Sequence, residues 1–104
     1  MANDDDLLNE LQEAIDIFIQ RLPGMFTAIC EAWDASDMEK LHDLLHDMKG
    51  TSGNFGYEEL YEYSKSMEDM LKENETEKFA QSLKQAEVII QSVLSNPGQS
   101  SLML

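Results

Sequence analysis

Apolar residues recur along this chain at steps of three and four, the period of an amphipathic helix, almost from end to end. Leu7, Leu8, Leu11, Ile15, Phe18, Ile19 and Leu22 form the first stripe, behind three aspartates, Asp4 to Asp6, at a place where acids favour a helix start. Pro23-Gly24 interrupts it, and Met25, Phe26, Ile29 and Trp33 resume the period. Pro23 either opens a second helix or kinks one long one. Ser36 with Glu39 has capping-box spacing and is expected to start the next helix. Its inward stripe is Met38, Leu41, Leu45, Met48, Ser52 and Phe55, and Gly56 stands where a terminator belongs. A third stripe runs through Leu60, Ser64, Met67 and Leu71, with Tyr63 and Met70 alongside. Lys72-Glu73-Asn74-Glu75 marks a turn, and Asn74 with Glu77 reads as another capped start. Phe79, Leu83, Ala86, Ile90 and Val93 give the last helix, which Asn96-Pro97-Gly98 stops. No period-two run, internal repeat or low-complexity segment is present.

Short connections between amphipathic helices make consecutive helices antiparallel neighbours. The predicted fold is therefore all-α, an antiparallel up-down four-helix bundle whose N-terminal helical segment is Pro-kinked or split. At 104 residues the chain is one domain, 1–104, with its core over about 5–95. Residues 96–104 are expected to form a mobile tail, although Leu102-Met103-Leu104 is apolar enough to dock. A hydrophobic fraction of 42% suffices for one small core and is too rich for a disordered chain. The seven methionines fall mostly on the stripes, where core packing is their commonest role.

The formal net charge of −14 narrows the partners. A surface for nucleic acid needs Lys and Arg, and an anionic membrane surface needs the same, so both are excluded as partners. No stretch has the length and apolarity of a membrane span, and the N-terminus lacks a signal peptide's basic and apolar regions. Cys30 is the single cysteine and allows no internal disulfide; in an apolar helical run it reads as a buried, inert thiol. A cytoplasmic location is expected.

The chemistry is concentrated in His46-Asp47-Met48-Lys49-Gly50-Thr51-Ser52-Gly53-Asn54-Phe55-Gly56. Glycine inside a helix costs about 1 kcal/mol relative to alanine, so Gly50 and Gly53 call for a reason other than helix stability. At about 100° per residue, His46 lies roughly 130° from the centre of the stripe through Leu41, Leu45 and Met48, on the wet side of the helix. Helical side chains lean toward the N-terminus, so residues 49 and 50 would ordinarily cover it. Position 50 has no side chain, and Lys49 can lean over the ring and offer an ammonium. An uncrowded imidazole beside one cation suits a group that accepts a phosphoryl and is reached by a partner protein. His42, one turn earlier, lies nearer the boundary.

This segment closely resembles the signature of histidine phosphotransfer (HPt) domains, which carry His-x-x-Lys-Gly followed by small residues and a second glycine. Leu22-Pro23, Leu60 and Met67-Glu68 extend the resemblance to roughly residues 8 to 94. Met48 stands where the family usually has leucine, a conservative core swap. The resemblance implies a four-helix bundle that relays a phosphoryl group between receiver-domain aspartates through a phosphohistidine, without ATP binding or autokinase activity. It makes His46 the phosphoacceptor and Lys49 a contact for the phosphoryl oxygens. Gly50 would leave space for them, Gly53 and Gly56 would allow close packing or partner approach, and His42 would belong to the partner-facing turn. Implied partners are response-regulator receiver domains and a hybrid histidine kinase. Mg²⁺ is expected only in the receiver's acidic pocket, this chain holding no cofactor or metal. The chain is expected to be a monomer and a free-standing module. The receiver is expected to seat on side chains of the Pro23–Trp33 segment and the His42 turn.

Two other classes compete. His42 and His46 at i, i+4, with Glu39 near, have zinc-chelating spacing, but Asp43 stands where a zincin helix needs glutamate, and Lys49 repels a cation. An acidic helical scaffold is compatible with the charge and leaves the His-Lys-Gly cluster without a purpose.

Overall fold

The computed structural model describes residues 4–103. Four helices follow one another: α1 (Asp4–Asp34), α2 (Met38–Asn54), α3 (Glu58–Lys72) and α4 (Thr76–Ser95), with two 3₁₀ turns, Pro97–Gln99 and Ser101–Met103, behind them. Each helix packs against the next, and α1 packs against α4, closing an antiparallel bundle. The core is built from the expected stripes: Ile15, Phe18, Leu22 and Ile29 from α1, Leu41, Leu45 and Met48 from α2, Leu60 and Met67 from α3, and Phe79, Ile90 and Val93 from α4. Trp33 lies against Phe79 at 4.6 Å between ring centroids, and Phe18 touches both Phe55 and Tyr57 at 5.6 Å.

Of the two readings of Pro23, the split is corrected: α1 is continuous through it. The proline ring is exposed while Leu22 beside it is fully buried, so the core contact holds the helix across the missing backbone donor. The stripe is also shorter than its periodicity suggested. Leu7 and Leu8 are exposed, because 31 residues at about 1.5 Å each make α1 far longer than the 17 of α2 or the 20 of α4, and its first turns overhang. Met38 is exposed as well, being at the open end of α2.

All three connections have one geometry. Residues Ser36, Gly56 and Asn74 each take a left-handed backbone conformation, with φ of 56°, 76° and 58°. In each, the following amide reaches five residues back, from Asp37 to Ala32, from Tyr57 to Ser52 and from Glu75 to Met70, while the left-handed residue bonds three back. This is the Schellman ending. The following residue then caps the next helix, so each reversal takes three residues. Ser36 and Asn74 are therefore not the helix starts that their side chains suggested. Asp37 caps α2 through Lys40 N, and Glu75 stands at the head of α4 without a side-chain cap.

The segment expected as a mobile tail is packed instead. Ser100 is fully buried and donates from Oγ to Phe55 O, Ser101 N donates to Gly56 O at 2.9 Å, and Tyr57 Oη donates to Pro97 O at 2.7 Å. The open carbonyls at the end of α2 supply the first two acceptors, Phe55 O and Gly56 O. Leu102 stays half-exposed, and Leu104 lies outside the described residues. Among the described residues no helix is long and apolar enough to cross a membrane. Cys30 is only partly buried; burial first, then Asp34, Glu87 and Glu31, push its thiol up from the ordinary range.

Candidate functional site

His42, His46 and Lys49 lie at i, i+4 and i+7 on α2, and so line one edge of that helix. Facing them from α3 is Glu68, whose side chain is only 3% exposed. Lys49 Nζ donates to Glu68 Oε1 at 2.9 Å. His46 Nδ1 is 3.1 Å from Glu68 Oε2, and His42 Nε2 is 4.0 Å from the same oxygen. Burial pushes the Glu68 carboxyl up, but its hydrogen bonds to Lys49 and His46 outweigh that and hold it below the usual carboxylate range. The same bond to Glu68 pushes Lys49 up. Both partners thus agree on an ion pair, formed between α3 and the edge of α2.

An ionised carboxylate can only accept, so the hydrogen between His46 and Glu68 sits on Nδ1. In the neutral ring the lone pair is then on Nε2, the outer nitrogen. The side chain of His46 is 69% exposed, and an added Cβ at Gly50 would meet nothing within 4 Å. The nitrogen that carries the lone pair therefore looks into open space. Lys49, expected to lean over the ring and offer an ammonium, spends one of its three protons on Glu68.

Gly53 and Gly56 have other jobs. A Cβ at Gly53 would lie 3.1 Å from Cδ2 of Tyr61, so this glycine lets α3 close on α2 beside the site. Gly56 is buried at the left-handed turn, and a Cβ there would come within 2.5 Å of Ser101 Oγ. It belongs to the end of the bundle and is covered by the C-terminal segment. On the other flank of α2, Ile17, Phe18, Arg21, Met25, Asp47, Thr51 and Phe55 line a largely apolar cleft of about 270 Å³ between α1 and α2.

Glu68 is the residue of this cluster that the sequence left without a role. The signal was present: Leu60, Ser64 and Met67 set the buried stripe of α3, and an acid beside Met67 on that stripe needs a cation to remain charged. What periodicity could not supply was the register of α3 against α2, which chooses the cation. Among the described residues no three His, Cys, Asp or Glu side chains are grouped to hold a metal ion.

Comparison with curated proteins and with solved structures gives no match. The family model of the Hpt domain matches residues 5–96 of the 104, spanning all four helices and the His46 edge, and the chain thus belongs to the Hpt domain family, phosphotransfer modules of two-component signalling that work with receiver and kinase domains.

Proposed function

We propose that this protein is a phosphorelay intermediate that carries a phosphoryl group on Nε2 of His46, taken from one receiver-domain aspartate and given to another. One observation carries the reading: an exposed imidazole whose Nδ1 is tied to a buried, ionised Glu68, so that its lone pair is aimed outward over a position with no side chain.

The donor is an aspartyl phosphate on the receiver. The Nε2 lone pair forms the N–P bond as the P–O bond to the aspartate breaks, and the aspartate leaves as carboxylate. The ring keeps its Nδ1 proton and becomes cationic, and Glu68 stabilises that charge as the carboxylate of a catalytic triad does. Transfer in the other direction reverses each step. Phosphoryl transfer asks mainly for alignment and charge neutralisation, and Lys49 supplies a cation within one turn of the acceptor. Mg²⁺ is supplied by the receiver's acidic pocket. Phosphoryl groups originate on a hybrid histidine kinase, since this chain has no glycine-rich nucleotide loop. The cleft between α1 and α2 begins beside His46, at Asp47, and gives a receiver an apolar seat; Met25 is the one member of the expected Pro23–Trp33 seat that lines it.

The test is transfer from receiver domains preloaded with radiolabelled phosphate on aspartate. Acid-labile, base-stable label on the wild type and none on His46→Gln supports the relay. No label from a broad receiver set leaves the acidic scaffold as the reading.

A further inference from the structure

Glu68 Oε2 has two claimants. His46 Nδ1 holds it at 3.1 Å, and His42 Nε2 stands at 4.0 Å, just outside hydrogen-bond range. The other carboxylate oxygen is occupied by Lys49 at 2.9 Å. A buried carboxylate anchored at one oxygen moves the other over a short arc, and here that arc lies between two imidazoles one helical turn apart. We propose that His42 is a positioning residue that controls the orientation of His46 through Glu68. An uncharged His42 leaves Oε2 to His46, and the Nδ1–H form is fixed with Nε2 outward. A charged His42 draws Oε2 toward itself, the 3.1 Å bond is lost, and the neutral His46 ring no longer favours the form that presents its lone pair to the partner.

The surroundings of His42 allow the change. Its side chain is 40% exposed and lines a cleft of about 170 Å³ with Met38, Met70 and Leu71. The charged and titratable groups facing it are Glu39 and His46 from α2, Glu68 and Lys72 from α3, and Glu75 from the head of α4. Glu75 is paired with Lys78 at 2.7 Å. Glu68 is the acceptor within reach.

The inference rests on the relay reading for its consequence but not for its test. The first measurement is the ¹⁵N chemical shifts of the His46 ring at pH 8 in the unphosphorylated protein, which report which nitrogen carries the hydrogen. His42→Arg and His42→Lys install a permanent cation. Both are expected to move His46 from predominantly Nδ1–H toward Nε2–H, while His42→Gln stays like the wild type. In a Glu68→Gln background the same cations are expected to produce no further shift, which separates action through Glu68 from a general field. Identical His46 shifts in wild type, His42→Arg and His42→Lys would overturn the inference, as would an equal effect in the Glu68→Gln background. The second measurement is transfer from a labelled receiver at pH 8, expected to be about fivefold slower in His42→Arg than in His42→Gln. If no receiver labels the wild type, the relay reading fails while the ring shifts still decide the role of His42.

Discussion

Gly50 offers the sharpest trial of the site, because the structure gives its two roles opposite signs. It lies in the interior of α2, and an added Cβ would touch nothing, so side chains are tolerated there by the fold. Glycine to alanine inside a helix gains about 1 kcal/mol when nothing clashes. With an unfolding entropy of about 2.1 cal/mol/K per residue, 104 residues give about 0.22 kcal/mol/K, so the gain is a rise of about 4–5 °C in Tm. Leucine has nearly alanine's helix propensity, so Gly50→Leu is expected to stabilise by a similar amount. The same leucine projects toward the N-terminus over His46, where the phosphoryl group and the receiver must come. Misplacement of reacting groups by about 1 Å costs on the order of 100-fold in rate, so transfer to Gly50→Leu is expected to fall by that order. The assay is thermal unfolding by circular dichroism beside transfer from a labelled receiver, with Gly53→Ala as the internal control. At Gly53 the new methyl sits 3.1 Å from Tyr61, and the ring must give way, so less than the Gly50→Ala gain is expected. A Gly50→Leu protein that is more stable and transfers at the wild-type rate would refute the account of this glycine; so would a loss of stability in Gly50→Ala.

Four further outcomes follow from the same geometry. Glu68→Gln is expected to slow transfer at least about tenfold, since the ring loses the acceptor that fixes its tautomer. Because folding lowers the Glu68 pKa, its ion pairs add stability above the ordinary value of 4.5 and lose it as pH falls through the lower folded value; urea titrations from pH 6 to pH 3 should show that acid loss in the wild type and a flatter profile in Glu68→Gln. Gly56→Ala combines a left-handed φ with overlap on Ser101 and is expected to lower stability by about 2 kcal/mol, read as a Tm drop of about 9 °C; a drop under 2 °C would mean that the C-terminal segment is not seated there. Phe79→Ala removes a fully buried ring packed at a tilt against Trp33 and is expected to cost about 3–5 kcal/mol, with a change in tryptophan fluorescence of the folded state.

The helices and the site's central histidine were legible because both rest on periodicity. Leu41, Leu45 and Met48 fix the inner face of α2, and everything opposite follows, His46 included. The connections were legible at Gly56 and at the polar turn 72–75, but the left-handed residue was legible only where it is glycine. Gly56, Ser36 and Asn74 do the same work, but serine and asparagine are also the commonest helix caps, so their side chains pointed one residue early, to the start of the next helix instead of the end of the last. The capping bond of α2 comes from Asp37, the neighbour. Leu7, Leu8 and Met38 keep the helical period without being buried, since period reports the face of a helix and not how far its neighbours extend. Glu68 and the docking of Ser100 on the Phe55 carbonyl depend on partners 22 and 45 residues away in sequence, and such pairings are settled by helix register and by the direction in which the chain leaves α4.

The uniform reversals bear on how the molecule assembles. Each helix is returned against its predecessor within three residues, so α1–α2, α2–α3 and α3–α4 form as hairpins with small loops to close. Chains dominated by such local pairing fold in microseconds to milliseconds. The pairing of α1 with α4 is different, because it joins the two ends of the sequence and completes the ring only when all three hairpins share one register. Trp33 on Phe79, one ring from each of those helices, lies on that seam, so tryptophan fluorescence during refolding is expected to report when it closes.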